Sequence, residues 1–78
     1  MVYFENPSYK DAIIGISTDR SVVYSYEKMV EQFMKEEQCS VEEAVDFIDY
    51  NTIRSLDYVK DAPIVVYEEY DIDYFEEE

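Results

Sequence analysis

The sequence predicts a small α+β domain of element order β-β-α-α-β, in which a helical pair packs on one face of a small antiparallel or mixed three-stranded sheet. Two short β-branched runs separated by turn residues come first, and two amphipathic segments with helix-start residues follow. A third β-branched run, opened by Pro63, completes the pattern. Because 78 residues can bury only one core, we expect a single domain over residues 1–67 and an acidic-aromatic C-terminal tail over residues 68–78.

The first two strands are predicted to form a hairpin. Residues 12–17 and 22–24 are the β-branched runs, and residues 18–21 between them are typical turn formers, so a connection of three or four residues is expected. Gly15 lies in the middle of the first run. A glycine at such a position indicates either a β-bulge or the close approach of a helix.

Two helices are predicted in the middle of the chain. Ser25 can cap the first helix, and Ser40 with Glu43 forms the capping-box pattern at the start of the second. Each helix has an apolar stripe with a period near 3.6 residues. The stripes consist of Tyr26, Met29, Val30, Phe33 and Met34 in the first helix, and of Val41, Ala44, Val45 and Ile48, widened by Phe47, in the second.

The second helix is expected to end near Tyr50 and Asn51, because asparagine tolerates the left-handed conformation of a helix end. We interpret Asn51, Thr52 and Arg54 as a structural group in which Asn51 turns the chain, Thr52 caps and Arg54 pairs with a carboxylate. A binding role for these three residues is the alternative. The third strand is predicted over residues 63–67.

The charge of the chain restricts its partners. Twenty acidic residues oppose six basic ones and histidine is absent, which gives a formal net charge of −14. Such a chain repels nucleic acid and anionic membranes and attracts basic surfaces. Since 47% of the residues are apolar, we expect a folded body rather than a disordered chain.

The sequence predicts a cytoplasmic protein. Cys39 is the single cysteine, so no disulfide can form within the chain. No apolar stretch approaches the ~20 residues of a membrane span, and the first residues lack the pattern of a signal peptide.

Catalytic chemistry is poorly supported, and we expect neither an enzyme nor a cofactor. The chain has no histidine, no glycine-rich phosphate loop and no zinc-ligand spacing. Cys39 precedes a helix start, which can lower the pKa of a thiol, but a half-covered linker residue is the simpler interpretation. Asp71, Asp73 and Glu76 are potential calcium ligands, yet they lack the fixed offsets and the glycine of an EF-hand loop.

The second helix carries a group of acidic residues that destabilises the helix. Glu42, Glu43, Asp46 and Asp49 include pairs three, four and seven residues apart, and like charges one turn apart destabilise a helix. From Glu42 to Asp49 the helix rises about 10 Å, so its charge density is of the same order as that of a nucleic-acid strand. The face therefore either imitates a phosphate backbone or is simply solvated.

The C-terminal tail combines acids with aromatic side chains. Tyrosine is enriched in interfaces, so the tail could dock in a basic, apolar groove of a partner, or it could fold back as a last strand on the sheet. The tail residues expected to contact a partner are Glu68, Glu69, Tyr70, Asp71, Asp73, Tyr74 and Phe75.

Four segments of the chain resemble a family of small, mostly uncharacterised proteins of Gram-positive bacteria, their phages and mobile elements. The segments are residues 23–29, 40–44, 47–56 and 63–67, and the most specific part is the signature Tyr-Asn-Thr-Ile-Arg at residues 50–54. The resemblance spans about residues 12–67 and leaves out the acidic tail. Where members of such a family reside on phage genomes, this location favours a counter-defence role, such as that of an anti-CRISPR or anti-restriction protein.

Charge and resemblance together favour a small inhibitor without catalytic activity. Its expected partner is a protein with a basic nucleic-acid-binding groove, such as a Cas9-like effector or another defence nuclease of the bacterial host. No direct binding of nucleic acid or of a membrane is expected. The alternative is a structural or homodimeric interaction module whose acids serve only solubility.

Overall fold

The computed structural model describes residues 1–68 and confirms the predicted α+β class. The strands are β1 (Ile13–Ile16), β2 (Val22–Ser25) and β3 (Ile64–Val66), and the helices are α1 (Tyr26–Glu37) and α2 (Val41–Phe47). The sheet has the order β1-β2-β3. The central strand β2 pairs antiparallel with β1 and parallel with β3, so the sheet is mixed.

Short helical segments complete the chain. A 3-10 turn (Lys10–Ala12) leads into β1, so the strand begins one residue later than expected. A π-helical segment (Ile48–Ile53) and a 3-10 segment (Arg54–Tyr58) follow α2 without interruption. Within residues 1–68, no helix has both the length and the apolar character needed to cross a bilayer.

The hairpin has the expected short connection. The Ser17 N–H donates to the Ser21 carbonyl at 2.8 Å, which leaves residues 18–20 as the loop. The register shifts between Ile13 and Gly15, so the predicted bulge is confirmed. A Cβ placed on Gly15 would meet no atom of the described residues within 4 Å, so the alternative of a closely approaching helix is wrong.

Both predicted helix starts are confirmed. The Ser25 hydroxyl accepts from the Lys28 N–H at 3.2 Å and caps α1. At α2, the Ser40 hydroxyl accepts from the Glu43 N–H at 3.2 Å, and the Ser40 N–H donates to Glu43 Oε1 at 3.0 Å. The reciprocal pair satisfies two amide groups that would otherwise lack partners at the helix N-terminus.

The prediction for the end of the second helix is wrong. Asn51 is not left-handed, because its side-chain amide donates to the Phe47 carbonyl at 3.1 Å inside the π-helical segment. Thr52 is a buried residue with 7% exposure and caps no helix. The Arg54 guanidinium lies 5.0 Å from the centre of the Tyr50 ring and forms a cation–π contact, and no carboxylate of residues 1–68 forms the expected ion pair with it.

The core lies between the sheet and the helices. Val22 and Tyr24 of β2 point toward α1, and Ala44 and Ile48 close the core from the second helix. The buried apolar residues are Tyr9, Ala12, Val22, Tyr24, Met29, Val30, Phe33, Ala44 and Ile48. The helical layer therefore covers one face of the sheet, as the sequence predicts.

Candidate protein-binding surface

All four acids predicted on the second helix are exposed. Glu42, Glu43 and Asp46 belong to α2, and Asp49 lies in the π-helical segment that continues it. At about 100° per residue, Glu42, Asp46 and Asp49 project on one side of the helical axis, opposite the buried Ala44 and Ile48. We call these four acids the acidic helix face.

The four carboxylates have different roles. Glu43 belongs to the capping box. Asp49 Oδ1 accepts a hydrogen bond from the Tyr26 hydroxyl at 2.7 Å, which links the end of the second helix to the start of α1. Glu42 and Asp46 make no hydrogen bond or ion pair with any other residue between 1 and 68, so both carboxylates are open to a partner.

Tyr26 is the residue that organises this surface. Burial, together with the hydrogen bond to Asp49, raises the pKa of its hydroxyl well above the usual value. The hydroxyl therefore stays protonated and remains a donor at neutral pH. The Tyr26 ring also packs against Tyr67, with the two ring centres 5.1 Å apart.

An apolar groove opens beside the acidic helix face. Its volume is about 230 Å³, and it is lined by Tyr26, Glu27, Val30, Val41, Val45 and Tyr67. Val41 was expected in the core stripe, but it is 50% exposed because the side of α2 that faces the core is centred on Ala44 and Ile48. A groove of this size accommodates one apolar side chain of a partner.

Glu68 holds the chain against the start of α1. Its backbone N–H donates to Glu27 Oε1 at 3.0 Å, and its carboxylate lies 3.9 Å from the Lys28 ammonium. The chain after Tyr67 therefore departs from a point beside the groove. The remaining tail residues of the predicted surface lie outside the described residues: Glu69, Tyr70, Asp71, Asp73, Tyr74 and Phe75.

The charge of the chain is segregated between its layers. Residues 25–53, which include α1, α2 and the π-helical segment, contain eight acids and two bases. Residues 68–78 add seven acids and no base, whereas residues 1–24 and 54–67 together hold five acids and four bases. The negative potential is thus concentrated on the helical side and in the C-terminal segment, while the sheet is close to neutral.

The sequence does not predict the groove, because the residues that line it come from separate parts of the chain. Tyr26 starts α1, Val41 and Val45 lie on α2, and Tyr67 follows β3. No local pattern in the sequence marks the groove, because the contact between Tyr26 and Tyr67 joins residues far apart in the chain.

Cys39 and the acidic side chains are the groups to consider for nucleophilic and metal chemistry. Partial burial and the nearby Glu43 and Glu37 carboxylates raise the pKa of the Cys39 thiol, which opposes a reactive thiolate. Within residues 1–68, no group of three or more acidic or cysteine side chains is arranged to hold a metal ion. The calcium ligands considered in the tail, Asp71, Asp73 and Glu76, lie outside this range.

Comparison of the chain with models of protein families, with curated proteins and with solved structures gave no match.

Proposed function

We propose that this protein is a small inhibitor of a bacterial defence nuclease, acting by occupation of a basic nucleic-acid-binding groove. The candidate targets are CRISPR effectors such as Cas9 and restriction systems. The proposal rests on two contacts of Tyr26, its hydrogen bond to Asp49 and its ring packing against Tyr67. These contacts place the acidic helix face next to the start of the acidic C-terminal segment.

The carboxylates of this surface are held at intervals that suit a polyanion mimic. Glu42 and Asp46 are one helical turn apart, about 6 Å along the axis. They lie on a helix with a capped N-terminus, so their separation changes little. Arginine and lysine side chains spaced to contact successive phosphates can pair with carboxylates at this separation.

The apolar groove can contribute binding energy that exposed charges do not provide. Exposed ion pairs contribute little affinity, whereas desolvated apolar and aromatic anchors contribute most of the binding energy of protein interfaces. One apolar side chain of the target inserted between Val41, Val45 and Tyr67 would fix the orientation of the inhibitor. The acids then accelerate association and make it sensitive to salt.

The test is whether the chain protects a plasmid from CRISPR interference or restriction in bacterial cells. A plasmid targeted by Cas9, or one sensitive to a restriction system, is transformed into cells that express the chain, and transformation efficiency is measured. The wild-type chain is expected to restore transformation. The double variant E42Q/D46N is expected to lose most of this protection.

A matched control distinguishes the effect of where the charges lie from the effect of their total number. E31Q/E37Q removes the same number of charges from exposed positions of α1 and leaves the acidic helix face intact. This control should protect as well as the wild type. The proposal is refuted if the wild-type chain protects against none of these systems, or if the two double variants lose protection equally.

A further inference from the structure

We infer that the apolar groove binds an arginine side chain of the target, with the aliphatic stem of the arginine on the valines of the groove and its guanidinium beside the Glu27 carboxylate. The inference rests on the proposed function, because it names the residue of the target that enters the groove. An arginine is apolar along its methylene groups and charged only at its tip, so it makes the apolar contact and adds a charged one.

Among residues 1–68, Glu27 is the only charged residue that lines the groove. The other lining residues are apolar or aromatic: Tyr26, Val30, Val41, Val45 and Tyr67. In a pocket with mostly apolar walls, a single charged group sets the orientation of the ligand. Because this group is a carboxylate, the groove is matched to a ligand with an apolar stem and a cationic tip.

The two oxygens of the Glu27 carboxylate have different surroundings. Oε1 accepts a hydrogen bond from the Glu68 N–H at 3.0 Å, and the Ser25 hydroxyl lies 3.5 Å from it, so the side chain is held in place. Oε2 is buried and has no hydrogen-bond partner among residues 1–68. A buried acceptor without a donor is costly, so a ligand that brings a donor to Oε2 gains free energy there.

The rings of Tyr26 and Tyr67 form an aromatic wall of the groove. Their centres lie 5.1 Å apart, and their planes are inclined by 57°. The face of a tyrosine ring attracts a cation, and a planar guanidinium stacks on such a face. Tyr67 is 52% exposed, and exposed side chains change rotamer within nanoseconds, so its ring can shift to admit a guanidinium to Glu27 Oε2.

The electrostatic surroundings of this wall also favour a cation. Burial is the largest cause of the raised pKa of the Tyr26 hydroxyl, and the Asp49 and Glu27 carboxylates raise it further. Both negative charges therefore act on the same wall of the groove. The nearest ion pair among the described residues, Lys28 with Glu68, places its ammonium outside the groove lining.

Other side chains fit this groove less well than arginine. An acidic side chain would be repelled by Glu27, and a leucine or phenylalanine would leave Oε2 without a donor. Lysine has the required charge, but its ammonium is more strongly hydrated than a guanidinium and cannot stack flat on a ring. Arginine is also one of the residue types enriched at the energetic centres of protein interfaces.

The experiment uses four capped tripeptides, in which glycine flanks arginine, citrulline, lysine or norleucine. Citrulline has the shape of arginine without its charge. Binding to the full-length, methyl-labelled chain is measured from the NMR shifts of the Val41 and Val45 methyl groups in 0.15 M NaCl, where distant exposed charges are largely screened. The arginine peptide should bind about tenfold more tightly than the citrulline and norleucine peptides, and about threefold more tightly than the lysine peptide.

Glu27→Gln is the variant that tests the charged contact. Glutamine keeps an oxygen for the Glu68 N–H, so the variant should fold, but the preference for arginine over citrulline should fall to less than about twofold. The matched control is Glu31→Gln, which removes one charge from an exposed position of α1 outside the groove and should keep the preference. If Glu27→Gln does not fold, Tyr67→Leu replaces it and should weaken the arginine peptide about threefold by removal of a ring face.

Three results would overturn the inference. The first is a citrulline, lysine or norleucine peptide that binds the wild-type groove as tightly as the arginine peptide. The second is an arginine peptide that leaves the Val41 and Val45 methyl groups unshifted, which would place the cation elsewhere on the acidic surface. The third is an equal loss of preference in Glu27→Gln and Glu31→Gln, which would show that only total charge matters.

The plasmid-protection assay distinguishes this inference from the proposed function. A chain that protects no plasmid but binds the arginine peptide in the groove would refute the inhibitor role and support the arginine site. A chain that protects plasmids but does not bind the arginine peptide at Val41 and Val45 would support the inhibitor role and refute the arginine site.

Discussion

The Tyr26 hydroxyl and the Asp49 carboxylate lie 2.7 Å apart and join the first residue of α1 to the helical segment that follows α2. One of the acids that the sequence assigns to partner binding is therefore also a structural residue. Asp49 is exposed, yet its carboxylate sets the position of the Tyr26 ring and with it one wall of the groove.

The first prediction concerns this hydrogen bond. Tyr26→Phe and Asp49→Ala should each lower the free energy of unfolding by about 1 kcal/mol, since each removes a hydrogen bond with a charged acceptor at a partly exposed site. In a double-mutant cycle measured by urea unfolding, the coupling should be about 1 kcal/mol. Strictly additive losses would show that the two side chains do not interact in solution.

The second prediction concerns alkaline pH. Burial raises the pKa of Tyr26, Tyr9 and Tyr24, so these hydroxyls hold their protons more tightly in the folded than in the unfolded chain. An unfolded tyrosine ionises near pH ~10. Because the unfolded state then binds fewer protons than the native state, the contribution of these tyrosines to the free energy of unfolding should be constant below about pH 9 and fall as the pH rises past 10.

The variant Tyr26→Phe serves as the control for this pH dependence. It retains Tyr9 and Tyr24, so its stability should still fall above about pH 10, but less steeply than that of the wild type. Urea unfolding at pH 8 and pH 10.5 provides the comparison. Identical pH profiles for the two proteins would mean that Tyr26 ionises as an ordinary tyrosine.

The third prediction concerns the capping box at Ser40 and Glu43. Ser40→Ala should destabilise the protein by about 1 kcal/mol, because the amide groups at the start of α2 lose their acceptor. Ser40→Thr keeps the hydroxyl and should change stability by less than half of that amount. Thermal unfolding of both variants is the measurement, and an equal loss in both would exclude a capping role for the hydroxyl.

The fourth prediction concerns the two sides of the second helix. Ile48 is fully buried, so Ile48→Ala should cost about 3 kcal/mol, a large part of the stability of a small domain. Val41 is half exposed at the rim of the groove, so Val41→Ala should cost less than about 1 kcal/mol. The measurement is the denaturant midpoint of each variant. The apolar stripe expected from the sequence places both Val41 and Ile48 in the core, so similar large losses in both variants would contradict the arrangement described here.

The fifth prediction concerns salt. Self-repulsion at a formal charge of −14 is screened as ionic strength rises, so the urea midpoint should be higher in 0.2 M than in 0.01 M NaCl at neutral pH. The increase should be smaller in E42Q/D46N, which has less repulsion to screen. A midpoint that falls with added salt would show that attractive pairs such as Lys28–Glu68 outweigh the repulsion.

The strands and helix starts were predictable because their signals are local. Ser25, Ser40 and Glu43 act through hydrogen bonds to residues three positions away, and the bulge lies next to the one glycine of the strand. The apolar spacing of α1 was equally informative, since Met29, Val30 and Phe33 are all buried.

The end of the second helix was not predictable, because tertiary packing outweighed a local preference. Asn51 would suit a left-handed helix end, but Thr52 and Ile48 are buried, and burying both requires the chain to remain helical through this segment. The π-helical geometry shifts the phase of the helix and leaves Tyr50 and Arg54 stacked in solvent.

The candidate surface was predictable only in part. Sequence spacing identified Glu42 and Asp46 correctly as exposed neighbours on one side of a helix. It could not show that Tyr67 returns to Tyr26, because that contact joins residues far apart in the chain. The structural role of Asp49 likewise depends on a contact between residues far apart in the chain, its hydrogen bond with Tyr26.

The parallel pairing of β2 with β3 has a consequence for how the chain is made. The two strands are separated by the whole helical layer, so β3 can join the sheet only after residues 26–63 have been synthesised and folded back. Until then a nascent chain exposes the unpaired edge of β2, and ribosome-bound chains that stop before residue 64 should be easily cleaved by proteases. The last strand therefore acts as the closing step of co-translational folding, and shortening the chain from its C-terminus should abolish the fold abruptly once β3 is lost.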